Sequence, residues 1–221
     1  VECIGAPSAC QDAEVIALQA ALFDAWELDD TVFQINTRGS TEDFPNILDG
    51  LRSELTPRKD DLCEECQRRL EENVLRILDC KNRDCGKVVD QLPPLTTWMA
   101  EESVAYYEEL KSALEVFGVP FVENKRLVRG LDYYQHSIWE VTSDRLGAQD
   151  ALSGGGRYRM QSGNKQIEGV GFGIGMERVL IALSEEVQAK MIADRAPLVF
   201  LVSQNEEARH VHLKNLPRFR S

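Results

Sequence analysis

The sequence contains no apolar run long enough to cross a membrane. A spanning helix needs about 18 or more consecutive apolar residues, whereas the longest runs here, VLIAL (179–183) and LVFLV (198–202), are of core length. The opening stretch VECIGAP also lacks the basic start and long apolar middle of a secretory signal. We therefore expect a soluble protein, and its first residues indicate no cellular address.

Positive charge is scarce as well. The chain has 25 Lys and Arg against 37 Asp and Glu, a formal net charge of -12. Proteins that coat nucleic acid without sequence preference need clustered Lys and Arg to neutralise phosphates, so this class is disfavoured. The one cationic stretch, RHVHLKNLPRFRS (209–221), is explained at least as well as a solvated helix face.

Cysteines are too few and too unevenly spread for the disulfide framework of a small secreted domain. A reducing cytoplasm is the expected compartment. Four of the six are Cys63, Cys66, Cys80 and Cys85, and their C-x2-C-x13-C-x4-C spacing is compatible with tetrahedral zinc. On spacing alone structural zinc is possible but not favoured. We expect the other two, Cys3 and Cys10, to be buried small hydrophobes.

Periodicity divides the chain into helical and extended segments. An apolar face built from Val15, Leu18, Leu22 and Trp26 predicts a helix over 12–26, and acidic residues Asp12 and Glu14 lie near its positive end. A second helix is predicted over 101–118, ended by glycine and proline. Strands are predicted at 32–37, 126–130 and 136–143.

Two glycine-rich stretches, SGGGRY (153–158) and GVGFGIG (169–175), match no phosphate-binding loop. No Lys-Ser/Thr pair follows the first, and the second has the wrong spacing for G-x-G-x-x-G. Alternating glycines instead clear one face of a strand, against which a planar base or an amino acid can lie. Arg178 follows in the first turn of the next helix.

In RGLDYY (129–134), Arg129 follows a predicted strand and precedes a glycine, so its guanidinium could bind a phosphate or carboxylate with two hydrogen bonds. Taken alone, a surface salt bridge with Asp132 is the better explanation. Alternation along a strand sends Tyr133 and Tyr134 to opposite faces. We therefore expect one of the two rings to be functional.

The order of these motifs resembles the carboxyl half of the catalytic domain of histidyl-tRNA synthetase, a class II aminoacyl-tRNA synthetase. LVRGLDYY (127–134) and GGGRY (154–158) resemble its two histidine-specific motifs, and GFGIGMERVL (171–180) resembles class II motif 3. The cysteine-bearing stretch 63–85 is similar to the insertion region of bacterial members. The resemblance covers nearly the whole chain.

This resemblance implies an α+β fold, an antiparallel sheet flanked by helices. The catalytic core would occupy 1–39 and 96–195, a small mainly helical insertion 40–95, and the truncated start of an α/β anticodon-binding domain 196–221. Motif 1 and the motif 2 arginine would lie upstream of Val1. We therefore expect the chain to be an incomplete piece that does not charge tRNA alone.

The resemblance also implies an activity and a site. ATP, as its Mg²⁺ complex, and L-histidine form histidyl-adenylate, and the aminoacyl group passes to tRNA(His) in a cytoplasmic homodimer. Arg129 would be catalytic, contacting the α-phosphate and the carboxylate. Histidine would be bound by Glu2, Tyr133, Tyr134, Tyr158 and Gly171, and ATP by Arg129, Gly173 and Arg178, with Glu2, Arg129, Tyr134, Tyr158 and Arg178 lining a single cavity.

The sequence departs from the family pattern after GGGRY, where Arg159 and Met160 replace the usual acid or amide and glycine. Two alternatives stay open. A catalytically silent paralogue that regulates ATP phosphoribosyltransferase would share the fold, but such paralogues generally lose the RGLDYY arginine and the cysteine-bearing insertion. A zinc-stabilised interaction module would explain the four cysteines and nothing in 120–184.

Overall fold

The structure is a computed structural model that describes residues 1–128, 133–163, 165–193 and 202–216. The chain forms two compact units, Val1–Leu183 and Ser184–Ser221. In the described part of the chain, no helix combines the length and the apolar character that crossing a membrane requires. The division into four segments predicted from the sequence stays a prediction.

The first unit combines a sheet with α-helices. Its strands are β1 (Glu2–Ile4), β2 (Thr31–Thr37), β3 (Phe121–Glu123), β4 (Tyr134–Ser143), β5 (Ala151–Ser162) and β6 (Lys165–Ile174). Its helices are α1 (Ala9–Ala25), α2 (Phe44–Leu55), α3 (Glu64–Glu72), α4 (Arg83–Asp90), α5 (Glu101–Phe117) and α6 (Met176–Ala182). The described part of the second unit contains α7 (Glu185–Ala193) and α8 (Glu206–Asn215).

The six strands form one sheet in the order β1-β6-β5-β4-β2-β3. Neighbouring strands are antiparallel except for β2 and β3, which are parallel. The α+β class predicted from the sequence is confirmed, with the β2–β3 pair as its one departure from an antiparallel sheet. In the second unit, α8 begins with a side-chain cap, in which the Ala208 N–H donates a hydrogen bond to the side-chain oxygen of Asn205.

The two faces of the sheet differ in composition. On the face covered by α1 and α5, Trp139, Val170 and Phe172 are buried. On the other face, Gly154 and Gly156 of β5 lie opposite Gly173 and Gly171 of β6. We call this second side the glycine face. Because successive side chains of a strand alternate between faces, the glycines clear this face without weakening the packing beneath it.

A buried ion pair joins α1 to β5 on the helix-covered face. Asp12 and Arg157 are almost fully buried, and Arg157 Nε donates to Asp12 Oδ1 over 3.0 Å. The guanidinium also donates to the carbonyl oxygens of Ala6 and Ser8, at 2.8 and 3.2 Å. Tyr106 of α5 donates to the same carboxylate over 2.9 Å. One carboxylate thus fastens two helices to the central strand of the sheet.

The predicted apolar face of the first helix was wrong in part. Leu18 is 47% exposed, while Ile16, Gln19 and Phe23 are buried. Gln19 lies inward because its amide oxygen accepts a hydrogen bond from the Trp139 indole over 2.7 Å. Because the polar residues Asp12 and Gln19 lie on the buried face of α1, apolar periodicity alone predicted the wrong buried face for this helix.

The predicted strand at 126–130 was also wrong over its described part. β3 is shorter and earlier, and the chain turns after it because Leu127 N–H donates to the Asn124 carbonyl over 2.9 Å. Arg126 N–H donates to the Asn124 side chain. Residues 129 and 130 lie outside the described residues. Cys10 is exposed and Cys3 half-buried, which corrects the expectation that both are buried.

Residues 44–98 fold around a core of their own. Helices α2, α3 and α4 and three 3-10 turns surround it. The core consists of buried aliphatic and cysteine side chains from every one of these helices: Ile47, Leu51, Leu55, Leu62, Cys66, Leu70, Val74, Leu75, Ile77, Leu78, Cys85, Val88, Val89, Leu92 and Leu95. We call this part the helical subunit of the fold.

Asp43 immediately precedes α2 and links the two ends of the helical subunit, because its carboxylate also reaches the start of α5. Its carboxylate accepts hydrogen bonds from the Ser40 N–H and the Ala100 N–H, each at 2.7 Å, and from the Ser103 hydroxyl. Burial disfavours the ionised form, but these hydrogen bonds outweigh burial and lower the pKa of Asp43 below its ordinary value. One buried carboxylate therefore holds both ends of the subunit together.

We predict that Arg157→Met lowers the free energy of unfolding by about 3–5 kcal/mol, because the Asp12 carboxylate stays buried without its cation. Asp12→Asn should be destabilising for the converse reason. The double variant should lose less than the sum, as expected for groups in contact. Urea denaturation measures all three. Arg68→Met, which breaks only exposed ion pairs on α3, is the control, and strict additivity would contradict the buried coupling.

The lowered pKa of Asp43 predicts a dependence of stability on pH. A carboxyl whose folded-state pKa is depressed contributes stability above its ordinary value of 3.8 and loses it as the pH falls through the folded value. The difference in unfolding free energy between the wild type and Asp43→Asn should stay constant from about pH 7 to pH 5 and shrink below about pH 4. Asp49→Asn, at an exposed position on the same helix, is the control. A difference that persists undiminished in acid would contradict the assignment.

Candidate active site

A cavity of about 310 Å³ lies on the glycine face of the sheet. Strands β1, β4, β5 and β6 all contribute to its wall. The lining residues are Glu2, Tyr133, Tyr134, Tyr158, Met160, Gly171, Phe172 and Gly173. Six of the eight site residues named from the sequence are among them, from positions up to 171 residues apart. The structure therefore brings together most of the predicted histidine pocket.

The register of β1 against β6 places the Glu2 carboxylate over a part of β6 that carries no side chain. Glu2 lies opposite Gly171 in the β1–β6 pair. A Cβ at Gly171 would overlap the carboxylate of Glu2 and the carbonyl of Val1. At Gly173, two residues along the same face, a Cβ would meet nothing within 4 Å. Gly171 is therefore required for the close approach of Glu2, while Gly173 leaves open space above the strand.

Three tyrosine rings form the opposite wall. The ring centroids of Tyr133 and Tyr134 are 4.8 Å apart, and Tyr133 meets Tyr158 edge-on at 6.1 Å. Tyr134 lies against Gly156, whose hypothetical Cβ would be 2.7 Å from the ring. Strand alternation alone predicts that one of the adjacent tyrosines is functional, whereas the resemblance names both, and both line the cavity. A bulge between Gln135 and Ile138 sets this part of β4 apart from regular pairing.

The electrostatics of the cavity suit a ligand that both donates and accepts hydrogen bonds. Burial and the neighbouring Glu2 carboxylate raise the pKa of Tyr158, so its phenol stays protonated at neutral pH. A carboxylate can only accept hydrogen bonds when ionised, while a phenol can donate one. The cavity thus offers an acceptor and a donor beside aromatic rings, a combination that fits a small planar ring with two polar edges.

Arg178 does not line this cavity. It lies in the first turn of α6, as predicted, but its Nη1 donates to the carbonyl oxygens of Ala151 and Gln149, at 2.7 and 3.1 Å. It borders a second cavity of about 820 Å³ instead. The expectation of a single cavity is therefore corrected for Arg178, whose guanidinium donates to carbonyl oxygens at and just before the start of β5. Arg129 lies outside the described residues.

The larger cavity was not anticipated from the sequence. Its walls are the glycine face of β2 and β4, the first turn of α6 and the α4 side of the helical subunit. Residues from the sheet side include Gln34, Glu140 and Arg178, and those from the helical subunit include Cys80, Arg83 and Lys87. No sequence motif joins these segments, because they meet only through the fold.

Two lining or supporting residues were missed although a signal existed. Met160 follows Tyr158 at a distance of two residues, so strand alternation alone places both on the same face. Arg157 belongs to GGGRY but lies on the opposite face from the cavity, where it pairs with Asp12. The alternation of side chains along β5 could have indicated that Met160 faces the cavity and that Arg157 faces the opposite side.

Curated proteins with sequences similar to this chain include histidine–tRNA ligases from several bacteria. The histidine–tRNA ligase of Chlorobium phaeovibrioides is 42% identical over 210 residues, 93% of this chain and 49% of that protein. That of Symbiobacterium thermophilum is 41% identical over 221 residues, 98% of this chain and 51% of that protein. The chain therefore spans about half the length of the curated relatives it matches. No protein-family model matches the chain.

Solved structures agree with the sequence comparison. Apo histidyl-tRNA synthetase from S. aureus superposes with a TM-score of 0.63 and 26% identity, covering 99% of this chain and 61% of that one. A Bacillus halodurans protein described as an ATP phosphoribosyltransferase regulatory subunit/histidyl-tRNA synthetase shares the fold, with a TM-score of 0.55, 19% identity and coverage of 88% of this chain and 58% of that one.

The sheet and its flanking helices are those of a class II aminoacyl-tRNA synthetase fold. Within that class, the chain is homologous to the histidine–tRNA ligases over almost all of its own length, which confirms the resemblance indicated by its motifs.

The two glycines of β6 provide a matched test of the site geometry. We predict that Gly171→Ala destabilises the fold by about 1–3 kcal/mol, because the new methyl group must displace Glu2 or β1. Gly173→Ala, on the same face of the same strand, should change stability little, since its Cβ points into open space. Thermal or urea unfolding measures both. Equal losses at the two positions would show that Glu2 does not lie across Gly171.

Proposed function

We propose that the protein containing this chain is a histidine–tRNA ligase. In its first step a carboxylate oxygen of L-histidine forms a bond to the α-phosphorus of ATP, and the bond from that phosphorus to pyrophosphate breaks. In the second step the acyl group passes to a hydroxyl of the terminal adenosine of tRNA(His), and AMP leaves. The observation that carries the proposal is the cavity in which Glu2, Tyr134 and Tyr158 converge over Gly171.

Histidine recognition is assigned to the smaller cavity. Glu2 accepts a hydrogen bond from one imidazole nitrogen, and Tyr134 bonds the other. Tyr133 and Tyr158 complete the wall around the ring. A site with fixed polar groups for both nitrogens rejects apolar rings of similar size, because such rings would leave buried polar groups without partners.

Adenylate formation brings two anions together, so cationic groups must lie where the phosphorus centre reacts. Arg129 is assigned this role, with contacts to the α-phosphate and the histidine carboxylate. Arg178 is assigned to the γ-phosphate, and the open space above Gly173 to the substrate or adenosine. ATP enters as its Mg²⁺ complex, in which the metal ion neutralises phosphate charge. In this assignment Arg178 exchanges its carbonyl partners for phosphate oxygens when ATP binds.

The regulatory paralogue remains the second candidate function. The B. halodurans structure supports it at the level of the fold alone. The RGLDYY arginine and the cysteine-bearing insertion are both present here, and both favour the ligase. For the whole protein we further infer a cytoplasmic location, since the proposed role in translation requires access to tRNA, and a homodimer, as the resemblance implies.

Histidine-dependent exchange of pyrophosphate into ATP distinguishes the two functions. We predict exchange by the full-length protein, and its loss in Arg129→Ala. Glu2→Gln should raise the histidine concentration needed for half-maximal exchange by about 10- to 100-fold, because a charged hydrogen bond to the ring is replaced by a neutral one.

Glu115→Gln, an exposed carboxylate change at the far end of α5, is the matched control and should leave exchange unaltered. Histidine binding measured by calorimetry completes the test. Binding without exchange in the wild type would refute the ligase in favour of the regulator. Exchange that is insensitive to Glu2→Gln would refute the assigned histidine pocket.

A further inference from the structure

The four cysteines of the helical subunit converge on one point. Their Sγ atoms all lie within 4.8 Å of one another. They come from three separate segments of chain: Cys63 and Cys66 from the start of α3, Cys80 from the turn that follows a 3-10 helix, and Cys85 from the first turn of α4. The spacing of the cysteines in the sequence did not by itself favour zinc. The proximity of their four Sγ atoms is a second, three-dimensional observation in favour of a metal site.

The separations fit a shared metal ion better than a disulfide. In a tetrahedral site with Zn–S bonds of about 2.3 Å, neighbouring sulfurs lie about 3.8 Å apart. The Sγ atoms of Cys63 and Cys80 are 3.9 Å apart, whereas a disulfide requires about 2.05 Å. Among the described residues, all six cysteines are free.

The surroundings of the cluster suit thiolates. The Cys63 N–H points at Cys85 Sγ over 3.2 Å, and the Asn82 N–H points at Cys80 Sγ over 3.4 Å. Such N–H groups orient metal-bound sulfur and offset its charge. Cys66 and Cys85 are fully buried while Cys63 and Cys80 are half-buried, so an ion has both a dry coordination shell and a route in from solvent.

A metal ion here also has a structural purpose. The helical subunit is short, and its helices α3 and α4 have only nine and eight residues. Small units with a limited core are commonly held together by metals or disulfides. An ion bound by all four sulfurs would tie α3, the turn at Cys80 and α4 together beside the core of the subunit.

We propose that Cys63, Cys66, Cys80 and Cys85 bind one structural zinc ion as four thiolates. Four protein ligands complete the tetrahedron and leave no open position for substrate, so the ion stabilises the helical subunit and takes no part in chemistry. The site is independent of the proposed ligase activity, which depends on the glycine face of the sheet.

The metal content of the full-length protein, purified in reducing buffer without chelators, tests the proposal. We expect about one zinc ion per chain by inductively coupled plasma mass spectrometry. After replacement of zinc by cobalt, the protein should show thiolate-to-cobalt charge transfer in the near ultraviolet and the intense visible bands of tetrahedral cobalt. The cobalt spectrum requires no substitution, so it is unaffected by any folding defect of a variant.

Cys80→Ser and Cys10→Ser form a matched pair. The first removes a half-buried ligand and should lower the zinc content at least about fivefold, while the second changes an exposed cysteine outside the cluster and should retain the ion. A wild-type protein with less than about 0.2 zinc ions per chain would overturn the proposal. So would iron in place of zinc, or equal zinc content in the two variants.

Discussion

The buried pair of Asp12 and Arg157 is the interaction on which the arrangement of the site depends. Arg157 lies between Gly156 and Tyr158 in β5, and its guanidinium is fixed by a carboxylate and two carbonyl oxygens of the α1 region. Because side chains alternate along a strand, fixing Arg157 on the helix-covered face also fixes its two neighbours on the glycine face. The pair thus determines which residues face the cavity.

The same logic explains why GGGRY can serve both faces at once. Gly154 and Gly156 clear the cavity side, and Tyr158 supplies a ring at the end of the cleared strip. Arg157 works on the opposite side, joined to Tyr106 of α5 through the shared Asp12 carboxylate. Burying this many polar groups is favourable only because the carboxylate is surrounded by donors. Part of the cavity wall and its support are therefore encoded within five residues.

Much of the site was predictable because alternating glycines indicate a bare strand face and the resemblance names the residues around it, although the pairing of Glu2 with Gly171 was not predicted. The rest depended on contacts distant in sequence. Asp12 was interpreted as a helix-end charge, since nothing local shows that a guanidinium from β5 reaches it. Arg178 was placed at the right position of its helix, but the carbonyls of Gln149 and Ala151 determine where its side chain lies. The convergence of four cysteines likewise depends on three separate segments that only the fold brings together.

The helical subunit and the larger cavity are connected through α4. Cys85 lies in the first turn of this helix and Asp90 at its end, where Asp90 Oδ1 accepts a hydrogen bond from Arg126 Nε over 2.8 Å. The Arg126 guanidinium also lies over Gly86 and donates to its carbonyl. Arg126, Gly86 and Asp90 all line the larger cavity, so the position of α4 bears on the shape of that cavity. An ion that fixes Cys85 would for this reason also fix the wall that α4 contributes to the larger cavity, without touching a ligand in it.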